Sequence, residues 1–219
     1  MTWNDITVKQ WQEYISLMNE VGENPSALEL IEMNEKLISI MYGLPMSKVE
    51  ILTESDFANK VNGLAFLNKP IEGTKPKKRI FVNGNVYRLK YDVRKHTHTK
   101  HIAMFSNAGD VISVKEFSKD FANNIGKVLA SMVVPQRKIL GLYFDKKPKP
   151  MDHEVISQDV LDAKFIDVYN ACIFFCKLLE KLIVATVDYL AKRKELTKET
   201  RAKLMDLLKV LDGFTLQNK

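Results

Sequence analysis

The segment RIFVNGNVYRL, residues 79–89, decides the fold because it holds the clearest β-strand pattern in the chain. Two runs rich in β-branched and aromatic residues, 80–82 and 86–89, flank the dipeptide Asn83-Gly84. Both residues of this dipeptide accept the positive φ angles of a type I′ turn, whose twist matches that of two antiparallel strands. The pattern therefore predicts a β-hairpin over this segment.

Helical patterns precede the hairpin. Thr7 is a predicted N-cap, and Ser26 followed by Glu29 is a capping box for a second helix that Gly43 ends. Thr53 opens a further helix. The apolar residues of the second helix recur at helical spacing and are expected to face inward, namely Leu30, Met33, Leu37, Ile40 and Met41.

Helical patterns also follow the hairpin. A helical period runs from Val114 until Pro135 stops it, and residues 136–144 are compatible with either a strand or a loop. A long apolar helix is predicted over 165–195, and Thr197 caps a last helix. The predicted class is thus mainly α (α+β), with a helical N-terminal unit, a small β-hairpin element and long C-terminal helices.

Charge divides the chain unevenly. Residues 1–68 carry four basic and ten acidic side chains, a net of −6, and are predicted to form an acidic helical unit. Residues 69–113 are predicted to be a basic linker and the β-hairpin, since 69–101 carries ten basic side chains against two acidic ones, a net of +8. Residues 114–219 are predicted to be a helical domain with a long central helix. An acidic and a basic segment in one chain favour electrostatic pairing within or between copies.

Composition excludes several classes of protein. The chain has 219 residues, of which 46% are hydrophobic and 27% charged, so it has enough apolar residues for a core of ordinary size. Only two cysteines are present, and Cys172 and Cys176 are expected to be buried apolar residues rather than a redox pair. Charges interrupt the most apolar stretch, 165–190, so we expect no membrane span, and residues 1–10 show no secretory signal.

Catalytic signatures are missing from the sequence. It contains no phosphate-binding glycine loop, nucleophile elbow or HExxH zinc motif, so we expect no enzyme activity, no catalytic residues and no cofactor. His96, His98 and His101 raise the alternative of a metal site, but the neighbouring basic side chains would repel a dication. A polar basic loop is the favoured interpretation, and no metal is expected.

The basic segment is the candidate contact surface. Its side chains lie on the predicted linker, the hairpin and the exit from the hairpin, so many of them can face one partner. That partner is either DNA, bound non-specifically through its phosphates, or an acidic protein surface. The candidate contact residues are Lys75, Lys77, Lys78, Arg79, Arg88, Lys90, Arg94, Lys95 and Lys100.

Four stretches resemble a group of small proteins encoded among the structural genes of tailed bacteriophages, especially crAss-like phages that infect gut Bacteroides-type hosts. The stretches are NEKLISIMYGLPMSKVEIL (34–52), RIFVNGNVYRLKYDV (79–93), ASMVVPQR (130–137) and DAKFIDVYNACIFF (162–175). Their order and spacing are similar to the group's pattern over residues 30–215. The motifs are structural, and no functional residue of the group carries over to a position of this chain.

The resemblance implies a non-enzymatic protein of virion morphogenesis. The favoured function is a virion structural protein, an oligomeric ring or head–tail connector subunit of the portal–tail region, assembled in the host cytoplasm. Its expected partners are copies of itself and other virion proteins of the portal and tail. Two alternatives stay open, a tail-assembly chaperone and a DNA-binding accessory protein.

Overall fold

The computed structural model describes residues 1–22, 24–72, 75–91, 117–147, 152–192, 197–199, 201–202 and 205. It is mainly helical with one four-stranded antiparallel sheet, which confirms the predicted class. The helices are α1 (Val8–Glu20), α2 (Ala27–Tyr42), α3 (Met46–Val49), α4 (Glu54–Gly63), α5 (Phe117–Met132), α6 (Asp152–Leu161) and α7 (Phe165–Lys192), with a 3₁₀ turn at Ala65–Asn68. The strands are β1 (Arg79–Val82), β2 (Asn85–Leu89), β3 (Val133–Ile139) and β4 (Leu142–Asp145).

Helix α2 begins and ends where the sequence indicates. The Ser26 hydroxyl accepts a hydrogen bond from the Glu29 amide, and the Glu29 carboxylate accepts one from the Ser26 amide. Gly43 ends the helix in the left-handed region, with φ of 62°, a conformation that glycine adopts at little cost. These interactions satisfy backbone groups that a helix end leaves without partners.

The predicted inward stripe of α2 needs one correction. Leu37 and Met41 are buried, and Met33 and Ile40 pack against the core. Leu30, however, is 41% exposed, because residues 27–32 are exposed on every side and the start of the helix extends beyond the core. Helical periodicity identifies the apolar face of a helix, but it does not show how many turns of that face the core covers.

The sheet contains two hairpins in the strand order β1-β2-β3-β4. The first hairpin, β1–β2, turns at Asn83 and Gly84, whose φ angles are 50° and 73°, so the predicted hairpin and its turn are confirmed. The second hairpin, β3–β4, resolves the open question about residues 136–144 in favour of strands. Strand β2 pairs with β3, which joins the two hairpins into one sheet.

Pro135 lies inside β3, although the sequence pattern placed it only after the end of a helix. The Pro135 carbonyl accepts a hydrogen bond from the Lys146 amide, 2.8 Å away, so the missing N–H of Pro135 would also have pointed toward Lys146. Lys146 follows the last residue of β4. The proline therefore removes only the terminal bond of the ladder, which a strand tolerates.

The N-terminal helices and the C-terminal half share one core. The Val8 amide donates to the Ala163 carbonyl at 3.0 Å, and the Phe165 amide donates to the Ile6 carbonyl at 2.9 Å. Trp11 stacks on Phe165 with ring centroids 4.7 Å apart. The start of the chain is thus fixed to the junction between α6 and α7, and buried residues from the helices and the sheet form one hydrophobic cluster.

Several predictions fall on residues that the structure does not describe. The predicted contact residues Arg94, Lys95 and Lys100 are among them, as are the three neighbouring histidines. The last predicted helix, after Thr197, is described only at 198–199, 201–202 and 205, which are helical. These predictions stay predictions.

Candidate functional site

The described members of the predicted basic surface lie on the first hairpin and on the residues that flank it. Lys75, Lys77 and Lys78 are found in the segment before β1. Arg79 begins β1 and Arg88 lies directly opposite it on β2. Lys90 follows β2, where its backbone amide donates to the Met132 carbonyl. The structure therefore brings the two arginines together and leaves the three lysines along the preceding segment.

Two arginines directly across an antiparallel pair repel each other unless other groups neutralise them. The Arg88 guanidinium donates two hydrogen bonds to the Asp145 carboxylate, one of them 2.9 Å from Nε to Oδ1. The Arg79 Nε donates to the Gln136 amide oxygen at 2.7 Å, and the Gln136 amide nitrogen donates to Asp145 at 2.8 Å. Both arginines are therefore engaged within the chain.

This network shifts the protonation of Asp145. The hydrogen bond from Arg88 lowers the pKa of the Asp145 carboxyl below its usual value, and the bond from Gln136 lowers it further. The same pair raises the pKa of Arg88. The guanidinium and carboxylate stay charged at neutral pH, so Asp145 neutralises Arg88, whereas Arg79, whose acceptor Gln136 is neutral, keeps its positive charge.

Lys77 also has a partner within the chain. Its ammonium lies 2.9 Å from the Asp167 carboxylate in the first turn of α7. The Tyr91 hydroxyl donates a hydrogen bond to the Lys77 carbonyl, which fixes the backbone at the same place. Lys75 and Lys78 are exposed, and neither forms an ion pair with the residues that the structure describes.

The first hairpin is fixed to α6 by a carboxylate. Asn85 donates to Asp159 at 2.8 Å, and the Tyr87 hydroxyl donates to the same carboxylate. Asn83 donates to Asp162 at 2.9 Å. Burial raises the pKa of the Tyr87 hydroxyl, and its bond to Asp159 raises it further. The turn and one strand of this hairpin are therefore held by the helix.

The second hairpin has a different environment. The start of β3 is buried, but the rest of the hairpin extends beyond the core. Four of its apolar side chains are exposed, namely Ile139, Leu140, Leu142 and Phe144. Leu140, the first turn residue, is 99% exposed and has a φ of 49°. A β-hairpin turn of this type strongly prefers asparagine or glycine at that position, because a Cβ atom strains the left-handed conformation.

Strand alternation places the apolar side chains beside two cations. In the register of β3 and β4, Arg137 faces Phe144 and Ile139 faces Leu142, all on one face of the hairpin. Lys146 continues this face past the end of β4, and both cations are exposed. We call these residues, together with the turn leucine, the hairpin patch: Arg137, Ile139, Leu140, Leu142, Phe144 and Lys146.

The hairpin patch borders a cavity of about 660 Å³ beneath the sheet. Tyr87, Pro135 and Arg137 line it from the sheet, and Val155 and Ile156 line it from α6. Val155 is 56% exposed, so α6 presents an apolar side chain at this cavity, and the hairpin patch contributes Arg137 and Lys146 to it. This open groove is wide enough to receive side chains from a partner.

A second exposed surface lies at the start of α2. Leu28 and Ile31 are 65% and 51% exposed. Helical spacing places Glu32 and Glu35 on the same face, each four residues after one of the two apolar side chains. Among the described residues neither carboxylate forms an ion pair. We call Leu28, Ile31, Glu32 and Glu35 the helix patch.

Sequence reasoning found neither patch. It assigned the charge of the N-terminal unit correctly but treated apolar residues at helical spacing as core. Two signals in the sequence could have indicated them. In the first two turns of α2, apolar and acidic residues cover all sides of the helix, and in the second hairpin the pair Leu140-Gly141 lies between two short β-rich runs.

Within the described residues, no group of three or more His, Cys, Asp or Glu side chains is placed to hold a metal ion. No helix in the described part of the chain is both long enough and apolar enough to span a membrane.

The chain matches no protein-family model, no curated protein and no solved structure.

Proposed function

We propose that the chain is a non-enzymatic structural protein of a tailed-phage virion, a subunit of an oligomeric ring or connector in the portal–tail region. The observation that carries this proposal is the presence of two exposed, apolar and oppositely charged patches on one chain. Leu28 and Ile31 lie beside carboxylates, and Leu142 and Phe144 lie beside cations. Surfaces of this kind favour assembly with other proteins.

The resemblance to proteins of phage structural genes supports the same proposal. One of the similar stretches, 79–93, includes the whole first hairpin, and another, 130–137, leads from α5 into β3. The resemblance therefore covers residues that build the sheet. The resemblance is also the reason for proposing a phage protein, which would be assembled into the virion in the host cytoplasm.

Mass spectrometry of purified particles tests the proposal. Particles of the phage that encodes the chain should contain it in a fixed ratio to the portal protein. Complete absence from mature particles, together with presence in infected cells, would contradict a structural role. That result would favour the tail-assembly chaperone, whose binding site for a tail component would be the exposed apolar hairpin.

DNA binding is the second alternative, and Lys75 and Lys78 are the exposed cations that favour it. We expect the purified protein to bind no duplex DNA at about 0.15 M salt, because Lys77 and Arg88 are already paired with carboxylates within the chain. Fluorescence anisotropy with a labelled duplex measures this. If DNA binds, replacing both lysines by glutamate should reduce the salt dependence of binding by about one unit for each phosphate that the protein no longer neutralises.

A further inference from the structure

We propose that the hairpin patch of one copy binds the helix patch of a second copy, so that copies join head to tail. The inference rests on the proposed function, since it names the contact through which ring subunits would associate. The apolar side chains of both patches are exposed in the single chain, so both are accessible to another copy.

The conformation of Leu140 is the first reason. A non-glycine residue at a φ of 49° is strained, and a leucine that is 99% exposed gains nothing from burial within its own chain. The fold of the single chain does not require a leucine in this strained conformation, which points to a role for the residue in binding another molecule. Burial against a second copy would give this side chain the environment that a large apolar residue requires.

Complementary charge is the second reason. The helix patch presents the carboxylates of Glu32 and Glu35, and the hairpin patch presents the cations of Arg137 and Lys146. None of the four forms an ion pair with the described residues of its own chain. Opposite charges around an apolar centre set the orientation of a contact and speed association.

The form of the two patches is the third reason. Leu28 and Ile31 stand three residues apart on one side of a helix, the spacing with which helices anchor in apolar grooves. The groove beside the hairpin offers apolar contacts at Val155 and Ile156 on α6, next to the cations Arg137 and Lys146. Because the two patches differ, the contact is heterologous, and repeated contacts generate a closed ring or an open filament.

Two defective variants and their mixture test the proposal by sedimentation velocity on the full chain. The hairpin variant carries Leu140→Asn and Leu142→Thr, and the helix variant carries Leu28→Gln and Ile31→Gln. The replacements keep turn, strand and helix preferences. Ile51→Asn is the matched control, because Ile51 is 79% exposed and lies outside both patches.

We expect the wild-type chain to form oligomers as its concentration rises. Each variant should raise the dissociation constant about 30-fold or more, the scale expected when central interface residues are removed, while the control matches wild type. An equimolar mixture of the two variants should form dimers and nothing larger, because each variant retains the patch that the other lacks. Wild type that stays monomeric to millimolar concentration, or variants that assemble normally, would overturn the proposal.

Charge reversal gives a second measurement that does not depend on apolar replacements. Arg137→Glu with Lys146→Glu should abolish assembly, and adding Glu32→Lys with Glu35→Lys should restore it. Reversal of Lys75 and Lys78 should have no effect. A mixture of the two apolar variants without dimers would mean that the two patches do not bind each other, and failure of the reversed pair to restore assembly would mean a different contact. Either result overturns the proposal.

Particle composition separates this inference from the proposed function. Head-to-tail assembly of a chain that mature particles lack would support the contact and refute the structural role. Stoichiometric incorporation of the hairpin variant into particles would support the structural role and refute the contact.

Discussion

The two hairpins of the sheet share a turn geometry and differ in everything around it. The turn residues Asn83 and Gly84 have φ angles of 50° and 73°, and Leu140 and Gly141 have 49° and 82°. The first turn uses the residue pair best suited to these angles, whereas the second places a leucine where a Cβ atom is unfavourable. The two turns therefore have the same backbone geometry, but only the first turn has residues that favour it.

Burial separates the hairpins as clearly. In the first, Tyr87 and Leu89 are each 4% exposed, and Asp159 on α6 accepts hydrogen bonds from the strand. In the second, Leu142 and Phe144 are 64% and 46% exposed. The first hairpin packs into the core through Tyr87 and Leu89. The second enters the core only at the start of β3, where Val133 and Val134 are buried, and is surface at its turn. Exposed apolar residues in an unfavourable turn are more readily explained by a partner than by the folding of the single chain.

Removing the carboxylate of Asp159 should have the largest effect on stability. Asp159→Ala leaves the side chains of Asn85 and Tyr87 without their acceptor in a partly buried site. We expect the free energy of unfolding to fall by about 2–3 kcal/mol. Urea denaturation followed by far-UV circular dichroism measures it. Asp162→Ala is the control, because the side-chain bond that this carboxylate accepts from Asn83 is exposed, and its loss should cost less than about 1 kcal/mol.

The same glycine replacement in each turn should give unequal losses. Gly84→Val forces a β-branched residue to a positive φ in a hairpin that belongs to the core, so unfolding should become easier by about 1–2 kcal/mol. Gly141→Val imposes similar strain at a turn that lies outside the core, where we expect local opening to relieve it, so its cost to global unfolding should stay below about 0.5 kcal/mol. Equal losses in chemical denaturation would show that the second hairpin also belongs to the cooperative core.

The smallest expected effect concerns Asp145 and depends on pH. Hydrogen bonds from Arg88 and Gln136 lower the pKa of this carboxyl below its usual 3.8, so the network stabilises the fold above that pH and the stabilisation is lost as pH falls further. The side chain is 38% exposed, and solvent limits the contribution to about 0.5 kcal/mol. Asp145→Asn should therefore lower the unfolding free energy at pH 7, and this difference should shrink at a lower pH as the carboxyl takes up its proton. A difference that persists at the lower pH would rule out the charge of Asp145 as its cause.

Sequence reasoning recovered the features that depend on neighbouring residues. Asn83-Gly84 and the capping box of Ser26 are local signals, and both elements appear where they were expected. The second hairpin stayed ambiguous, because Leu140-Gly141 carries only half of the turn signal and Pro135 resembles the end of a helix.

The interaction surface was harder to predict than the fold. Arg88 looked available to a partner, but its counterion is Asp145, which lies 57 residues later in the chain. Only the pairing of β2 with β3 brings these strands together. Exposure of Leu28 and Leu142 depends in turn on where the core ends, and no local pattern contains that information.

The stacking of Trp11 on Phe165 has a consequence for synthesis of the protein. The first helix emerges from the ribosome long before its aromatic partner, and the backbone hydrogen bonds that tie Ile6 and Val8 to residues 163–165 form equally late. At about 5–20 residues per second, translation takes roughly 8–30 seconds to proceed from Trp11 to Phe165, and α1 lacks its packing partner during that time. The side of α1 that packs on Phe165 lacks this partner throughout that interval, and transiently exposed apolar surface of this kind is what chaperones bind.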